Sequence, residues 1–255
     1  MSFSSARIDP VANNRQRQAI ALNANPSATY SGKLAETLAL LQQAVSEFSP
    51  VTQASSLGAE DVVISHMIHH QALNIPVFIL ETGALHRETL ALLERTQAHS
   101  QVAVKVYRPD PEKVIAFVKK HGQNAMYESL VLRKACCQIR KLEPLAAALS
   151  GQRAWVTGLR QEQSNNRADV ALIDRTDEAI KGQIKLNPLA NWTWGDVWHY
   201  ISVNEVDYNS LHDDFFPSIG CAPCTRAISL GEEFRAGRWW WEDEAAKECG
   251  LHVQK

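Results

Sequence analysis

The stretch Val51-Thr52-Gln53-Ala54-Ser55-Ser56-Leu57-Gly58-Ala59-Glu60-Asp61 decides the fold. Its first five residues read as a short buried strand and Ser56-Leu57-Gly58 as a turn. A helix starts near Ala59 and runs to about Leu73, with Glu60 and Asp61 suited to the positive end of its dipole. Such a junction offers backbone N–H groups and the helix dipole to an anion. It is not a Walker loop, because the glycine–lysine–serine/threonine sequence is missing. It has one glycine, so it is not the dinucleotide fingerprint either. Taken alone, the turn reads equally well as a simple connection.

The flanking sequence repeats this unit. Upstream, Ser31 can cap a helix whose apolar positions are Leu34, Leu38, Leu41, Val45 and Phe48, and Pro50 ends it. Downstream, Pro76 to Leu80 is an apolar strand ending at Glu81-Thr82-Gly83. His86 to Ala98 is helical in pattern. Val102, Val104 and Val106 alternate as a strand, and Asp110-Pro111 opens the next helix. Tyr127 to Leu149 reads as one long helical stretch kinked at Pro144. Ala154-Trp155-Val156 is a strand leading into Thr157-Gly158. Strands alternating with helices predict an α/β fold, a twisted parallel sheet with helices on both faces. Val170–Ile173 and Ile184–Leu186 can pair as a hairpin, and Thr193–Asn204 looks helical. From Tyr208 onward little regularity remains. The expected division is a peripheral segment 1–30, one α/β domain 31–238, and a C-terminal tail 239–255.

Composition narrows the class. Hydrophobic residues make up 45% and charged residues 21% of the 255, as in an ordinary globular chain. The formal net charge of -2 argues against a nucleic-acid partner. No stretch is apolar for long enough to span a bilayer, and residues 1–25 lack the apolar core of a secretory signal. A cytoplasmic location is therefore expected, where thiols stay reduced. The five cysteines then read as metal ligands, a catalytic thiol, or both.

Four of them come in pairs. Cys136-Cys137 lie in the long helical stretch, and Cys221-Ala222-Pro223-Cys224 form a turn. Four thiolates suit zinc or an iron–sulfur cluster. Adjacent cysteines on a helix diverge by about 100°. That is awkward around one ion but workable at separate corners of a 4Fe–4S cube, which favours the cluster. Two buried apolar cysteines beside an unrelated turn remain the bland alternative. Cys249 stands apart in Glu248-Cys249-Gly250-Leu251-His252, where His252 could orient the thiol or lower its pKa.

Open α/β sheets bind ligands at the C-terminal ends of their strands. Three such ends carry small or polar residues: Ser55-Ser56 with Gly58, Thr82-Gly83, and Thr157-Gly158. Arg160, Arg167, Arg235, Arg238 and Lys141 are candidate anion partners. Each, by itself, reads as well as a solvated surface charge.

Together these segments resemble the adenylylsulfate (APS) reductases of the PAPS/APS reductase family, the iron–sulfur, thioredoxin-dependent type. The matching segments are Ser55 to Asp61, Glu81-Thr82-Gly83, Lys134 through Lys141, Thr157 to Arg160 with Gln163-Ser164, Cys221 to Cys224, Arg235 to Trp241, and Glu248 to His252. The resemblance implies an adenine nucleotide alpha-hydrolase-like fold with a mobile C-terminal tail. It implies a 4Fe–4S cluster on Cys136, Cys137, Cys221 and Cys224, with an electrostatic and structural part. The implied substrate is adenosine 5′-phosphosulfate, its adenosine at the first loop and the strand turns. Lys141, Arg235, Arg238 and His252 would hold the phosphosulfate. Cys249 would attack sulfur, and thioredoxin or a glutaredoxin-like dithiol would release sulfite. Oligomeric state is not readable, and a homo-oligomer is possible.

Three alternatives stay open at the level of sequence. A PAPS reductase, or an enzyme of dual specificity, would share fold and chemistry, but no extra basic cluster for a 3′-phosphate is evident. An ATP pyrophosphatase-type enzyme would carry Ser-Gly-Gly-x-Asp-Ser where this chain has Ser-Ser-Leu-Gly-Ala-Glu. A zinc-stabilised binding module could use Trp239-Trp240-Trp241.

Overall fold

The computed structural model describes residues 18–100 and 103–243. Strands β1 (Val51–Ser55), β2 (Val77–Leu80), β3 (Val104–Tyr107), β4 (Ala154–Val156), β5 (Ile173–Asp174) and β6 (Ile184–Leu186) form one sheet. The order is β3-β2-β1-β4-β6-β5. Neighbours are parallel except β5, which runs antiparallel to β6, so the expected hairpin forms over a shorter span. Gln53 is the hinge of the register, opposite Val77 on one side and Val156 on the other. Successive strands step outward from β1 in one direction and then, from β4, in the other. The reversal between β1 and β4 opens a crevice at their C-terminal ends.

Side chains alternate across the sheet, as strand geometry demands. Ile79, Ala154 and Val156 enter the larger core. It includes residues of α2 (Tyr30–Glu47), α3 (Ala59–His70) and α9 (Trp194–Val203), among them Leu41, Ile64 and Trp198. Phe78 and Trp155 point the other way, onto Ala148 and Leu149 of α7 (Glu143–Leu149). Helices therefore cover both faces. Asp110 caps α5 (Pro111–His121) by accepting the Glu112 N–H at 2.9 Å, as the Asp-Pro pair leads one to expect. No helix among the described residues is long and apolar enough to cross a membrane.

Three local readings change. Ser31 is not the cap of α2, because Thr29 occupies that position. Residues 18–30, expected to be peripheral, include helix α1 (Gln18–Asn23), and Ala19 is buried with its N–H on Asp213. The long stretch 127–149 is divided into α6 (Leu130–Cys137), a wide π-type turn (Gln138–Leu142), and α7. The expected kink at Pro144 is thus displaced upstream. Pro144 has no N–H for the carbonyl four residues back, and the wider turn absorbs that loss just after the cysteine pair.

Residues 27–33 are anchored by one carboxylate. Asp196 is fully buried and accepts from Ser27 N (2.7 Å), Lys33 Nζ (2.8 Å) and Thr193 N (2.9 Å). Burial alone would raise its pKa, but these donors prevail and bring it down to about 2. Its stabilisation is present above the ordinary carboxylate value and is lost as pH falls from about 4 to about 2. At about 1.4 kcal/mol per unit this amounts to roughly 2 kcal/mol. Asp196→Asn should therefore lower the urea midpoint at pH 7 and flatten its fall between pH 5 and pH 3. An unchanged midpoint at pH 7 would contradict this anchoring.

Candidate active site

A cleft of about 200 Å³ opens at the crevice between β1 and β4. Its floor is the turn after β1. Leu57 takes a left-handed backbone (φ 61) with its side chain buried, which tightens the strand-to-helix corner. Asp61 Oδ2 accepts from the Ser56 N–H (2.6 Å) and Oγ (2.7 Å), so the first turn of α3 holds the loop rather than merely matching the dipole. Burial pushes the Asp61 carboxyl up to about 6 despite these donors. His212 Nε2 accepts the Ala59 N–H at 3.2 Å, and burial pushes this imidazole down to about 4, so it is neutral at pH 7.

Behind the floor runs a buried polar chain. Arg160 Nε donates to Glu60 Oε1 at 2.9 Å, Gln163 Nε2 donates to the same oxygen at 2.9 Å, and Arg167 Nη1 donates to Gln163 Oε1. Glu60, Gln163 and Arg167 line the cleft, whereas Arg160 stands behind its wall. The opposite side is apolar, with Phe78, Leu80, Leu145 and Trp155.

The far end of the cleft meets the cysteines. Cys136, Cys221 and Cys224 share one apolar cluster with Met126 and Trp239. Thr82 Oγ1 lies 3.2 Å from Cys221 Sγ, and Arg140 Nη1 donates to the Thr82 carbonyl at 2.7 Å. Burial raises the Cys136 thiol, opposed first by Arg140. Burial and the neighbouring Cys221 push the Cys224 thiol up to about 11, opposed by Lys141 and Arg238. Lys141 and Arg238 also line the cleft. The wide turn after Cys137 supplies both Arg140 and Lys141. Arg238 is buried, donates to the Ile219 carbonyl at 3.2 Å, and lies 4.6 Å from the Trp239 ring centre.

Residues 50–227 match the family model described as the phosphoadenosine phosphosulfate reductase domain. The chain belongs to the phosphoadenosine phosphosulfate reductase family. Curated relatives are the adenosine 5′-phosphosulfate reductases of Allochromatium vinosum and Burkholderia cepacia. The first is 48% identical over 86% of this chain and 84% of the relative. The second is 48% identical over 84% and 85%. Among solved structures, the PAPS reductase of Candida auris superposes with a TM-score of 0.63 at 26% identity, covering 87% of this chain and 98% of that one. Yeast FAD synthetase (TM-score 0.53, 12% identity, 86% of this chain and 74% of that one) shares the architecture alone.

Within this family frame, the structure brings most of the expected residues to one cleft. Ser55, Ser56, Gly58, Thr82, Gly158, Arg167, Lys141, Arg235 and Arg238 all line it. Gly83 does not. Its left-handed φ of 69 serves the turn beneath Arg140. Cys249 and His252 lie outside the described residues, as does the tail beyond Asp243. The boundary expected after Arg238 crosses a packed segment, since Trp239 is buried and donates its N–H to the Cys224 carbonyl at 3.2 Å. Sequence reasoning missed Arg140, His212 and the Glu60–Gln163 link. Only Arg140, adjacent to Lys141, had a signal within reach.

Among the described residues no group of three or more His, Cys, Asp or Glu side chains is gathered so as to hold a metal ion. The donor set nonetheless fits an iron–sulfur cluster chemically. Cys136, Cys137, Cys221 and Cys224 are all free thiols, three of them share one apolar cluster, and cations flank them. A thiol raised to about 11 stays protonated at neutral pH, and thiolate there requires a cationic centre.

Two glycines set the cleft's shape, by different means. A Cβ at Gly158 would meet Asp61 Oδ1 at 2.4 Å and Glu60 Cβ at 2.8 Å, both on buried residues. A Cβ at Gly220 would meet Arg238 Nη2 at 2.3 Å, the end of a long side chain. Gly158→Ala should thus cost roughly 1–3 kcal/mol by overpacking. Gly220→Ala should cost clearly less, because the guanidinium can swing aside. Urea midpoints check this, and equal losses would contradict it.

Proposed function

We propose that this chain reduces adenosine 5′-phosphosulfate to sulfite and AMP through an S-sulfocysteine at Cys249, in assimilatory sulfate reduction. The observation that carries this reading is the position of Lys141. It lines the cleft and is close enough to Cys136 and Cys224 to act on both thiols. Lys141, together with Arg238, thus joins the cleft to the cysteine site. The adenosine 5′-phosphosulfate reductases at 48% identity support the substrate assignment.

In this reading the adenine lies against Phe78, Leu80 and Trp155. The ribose and phosphate are held by Ser55, Ser56, Gly58, Thr82, Gly158 and Arg167, with Arg160 steadying Glu60 behind them. Lys141, Arg235, Arg238 and His252 hold the phosphosulfate. The Cys249 thiolate attacks sulfur, the S–O bond breaks, and AMP leaves with its electron pair. A negatively charged leaving group needs fixed cations beside it, and the division into two steps is nucleophilic catalysis. A dithiol protein, thioredoxin or glutaredoxin-like, then attacks the Cys249 sulfur. Sulfite leaves as a mixed disulfide forms with Cys249, and the second thiol of the dithiol breaks that bond, freeing the Cys249 thiolate and leaving the dithiol as a disulfide. Atoms and electrons balance: two electrons pass from the dithiol to sulfur. Cys136, Cys137, Cys221 and Cys224 would hold a 4Fe–4S cluster, which supplies a fixed, charge-bearing partner for Lys141. The cytoplasm, with its reduced thiol pool, suits both the cluster and the nucleophile.

A PAPS or dual-specificity reductase is the second reading, favoured by the family description and by the Candida auris structure. Sulfite release with thioredoxin should be faster from APS than from PAPS by at least a decade in kcat/KM. A reversed ratio would hand the assignment to PAPS. Lys141→Ala should keep iron and acid-labile sulfide but lower turnover by about 10²–10³, the scale of one lost oxyanion-type contact. Undiminished turnover would remove Lys141 from the reaction. A colourless zinc protein would refute the cluster.

A further inference from the structure

We infer that Arg133 and Glu242 form a latch that roots the catalytic tail on the cysteine helix, which makes both of them positioning residues for attack by Cys249. The inference rests on the reaction proposed above.

Arg133 lies on α6, three and four residues before Cys136 and Cys137, and is buried. Its Nε and Nη2 donate to the two oxygens of Glu242 at 2.9 and 2.8 Å. Both side chains are buried, at 1% and 7% exposure, which separates this pair from the surface pairs elsewhere on the molecule. The same guanidinium lies 4.8 Å from the Trp239 ring centre and also bonds to Cys137. Arg238, a cation of the cleft, lies 4.6 Å from that same ring. One arginine therefore meets Cys137, the indole beside the cleft, and the carboxylate seven residues before Cys249.

A buried ion pair contributes little net stability compared with apolar side chains of the same size. What a two-pronged arginine–carboxylate contact does provide is fixed distance and fixed angle. Both matter at a root. Seven residues span at most about 25 Å when extended, and about 15 Å on average if flexible. Trp241 packs on Tyr127 with ring centres 4.5 Å apart, so freeing Glu242 lengthens the tether only from seven residues to eight. Dilution of the thiol by the longer tether is then only about 1.2-fold. A loss well beyond that reports lost direction, because misplacing a reacting atom by about 1 Å can cost about 10²-fold.

The test uses the iron-containing full-length enzyme and Glu242→Gln, which keeps shape and removes charge. In a single turnover with APS and no dithiol, the rate of sulfonate appearance on Cys249 should fall about ten-fold. AMP affinity by calorimetry should stay within two-fold, and iron and sulfide content should match wild type. If Glu242→Gln folds poorly, the double variant R133M/E242M leaves no unpaired buried cation, and the same ten-fold loss is expected. Sulfonation within two-fold of wild type overturns the latch. So does iron loss in proportion to the rate, which would make the pair a support of the cysteine site. Wild-type enzyme that forms no adduct at all overturns the underlying reaction, and the inference with it.

Discussion

Burying thiols in an apolar pocket beside a cleft imposes a charge problem that organises this molecule. Desolvation drives Cys136 and Cys224 toward the neutral form, and each sulfur makes its neighbour harder to ionise. Cations must therefore be brought close, and the chain brings Arg140, Lys141 and Arg238. Lys141 and Arg238 face the cleft as well. Charges that offset the buried thiols are thus also charges of the cleft.

The sheet supplies the other half. With β1 and β4 adjacent at the reversal of strand order, three strand ends deliver their loops to one place. The chain Arg160–Glu60–Gln163–Arg167 ties the loop after β4 to the first turn of α3 through buried hydrogen bonds. Removing Arg160 would take from the buried Glu60 its cation, so the chain holds the floor of the cleft in place.

Much of this was legible in the sequence. The alternation of apolar strands and helices, and the small residues at Ser55, Thr82 and Thr157-Gly158, placed the sheet and the mouth of the cleft. The two cysteine pairs marked the second site. What could not be read depended on contacts between distant segments. Nothing local distinguishes Arg160, held by Glu60 one hundred residues away, from a substrate arginine. Nothing local shows that Ala19 is buried against Asp213. The wide turn at Gln138–Leu142 hid within a helical pattern because it widens one turn without ending the helical run. Trp239 looked like the start of a tail and is instead a core residue of the cysteine site.

The most direct measurement is the mass of the Cys249 peptide after the iron-containing protein has met APS in the absence of any dithiol. The account predicts one added sulfonate on Cys249, discharged as sulfite when thioredoxin is supplied. An unmodified Cys249 in protein that still turns over APS would contradict it.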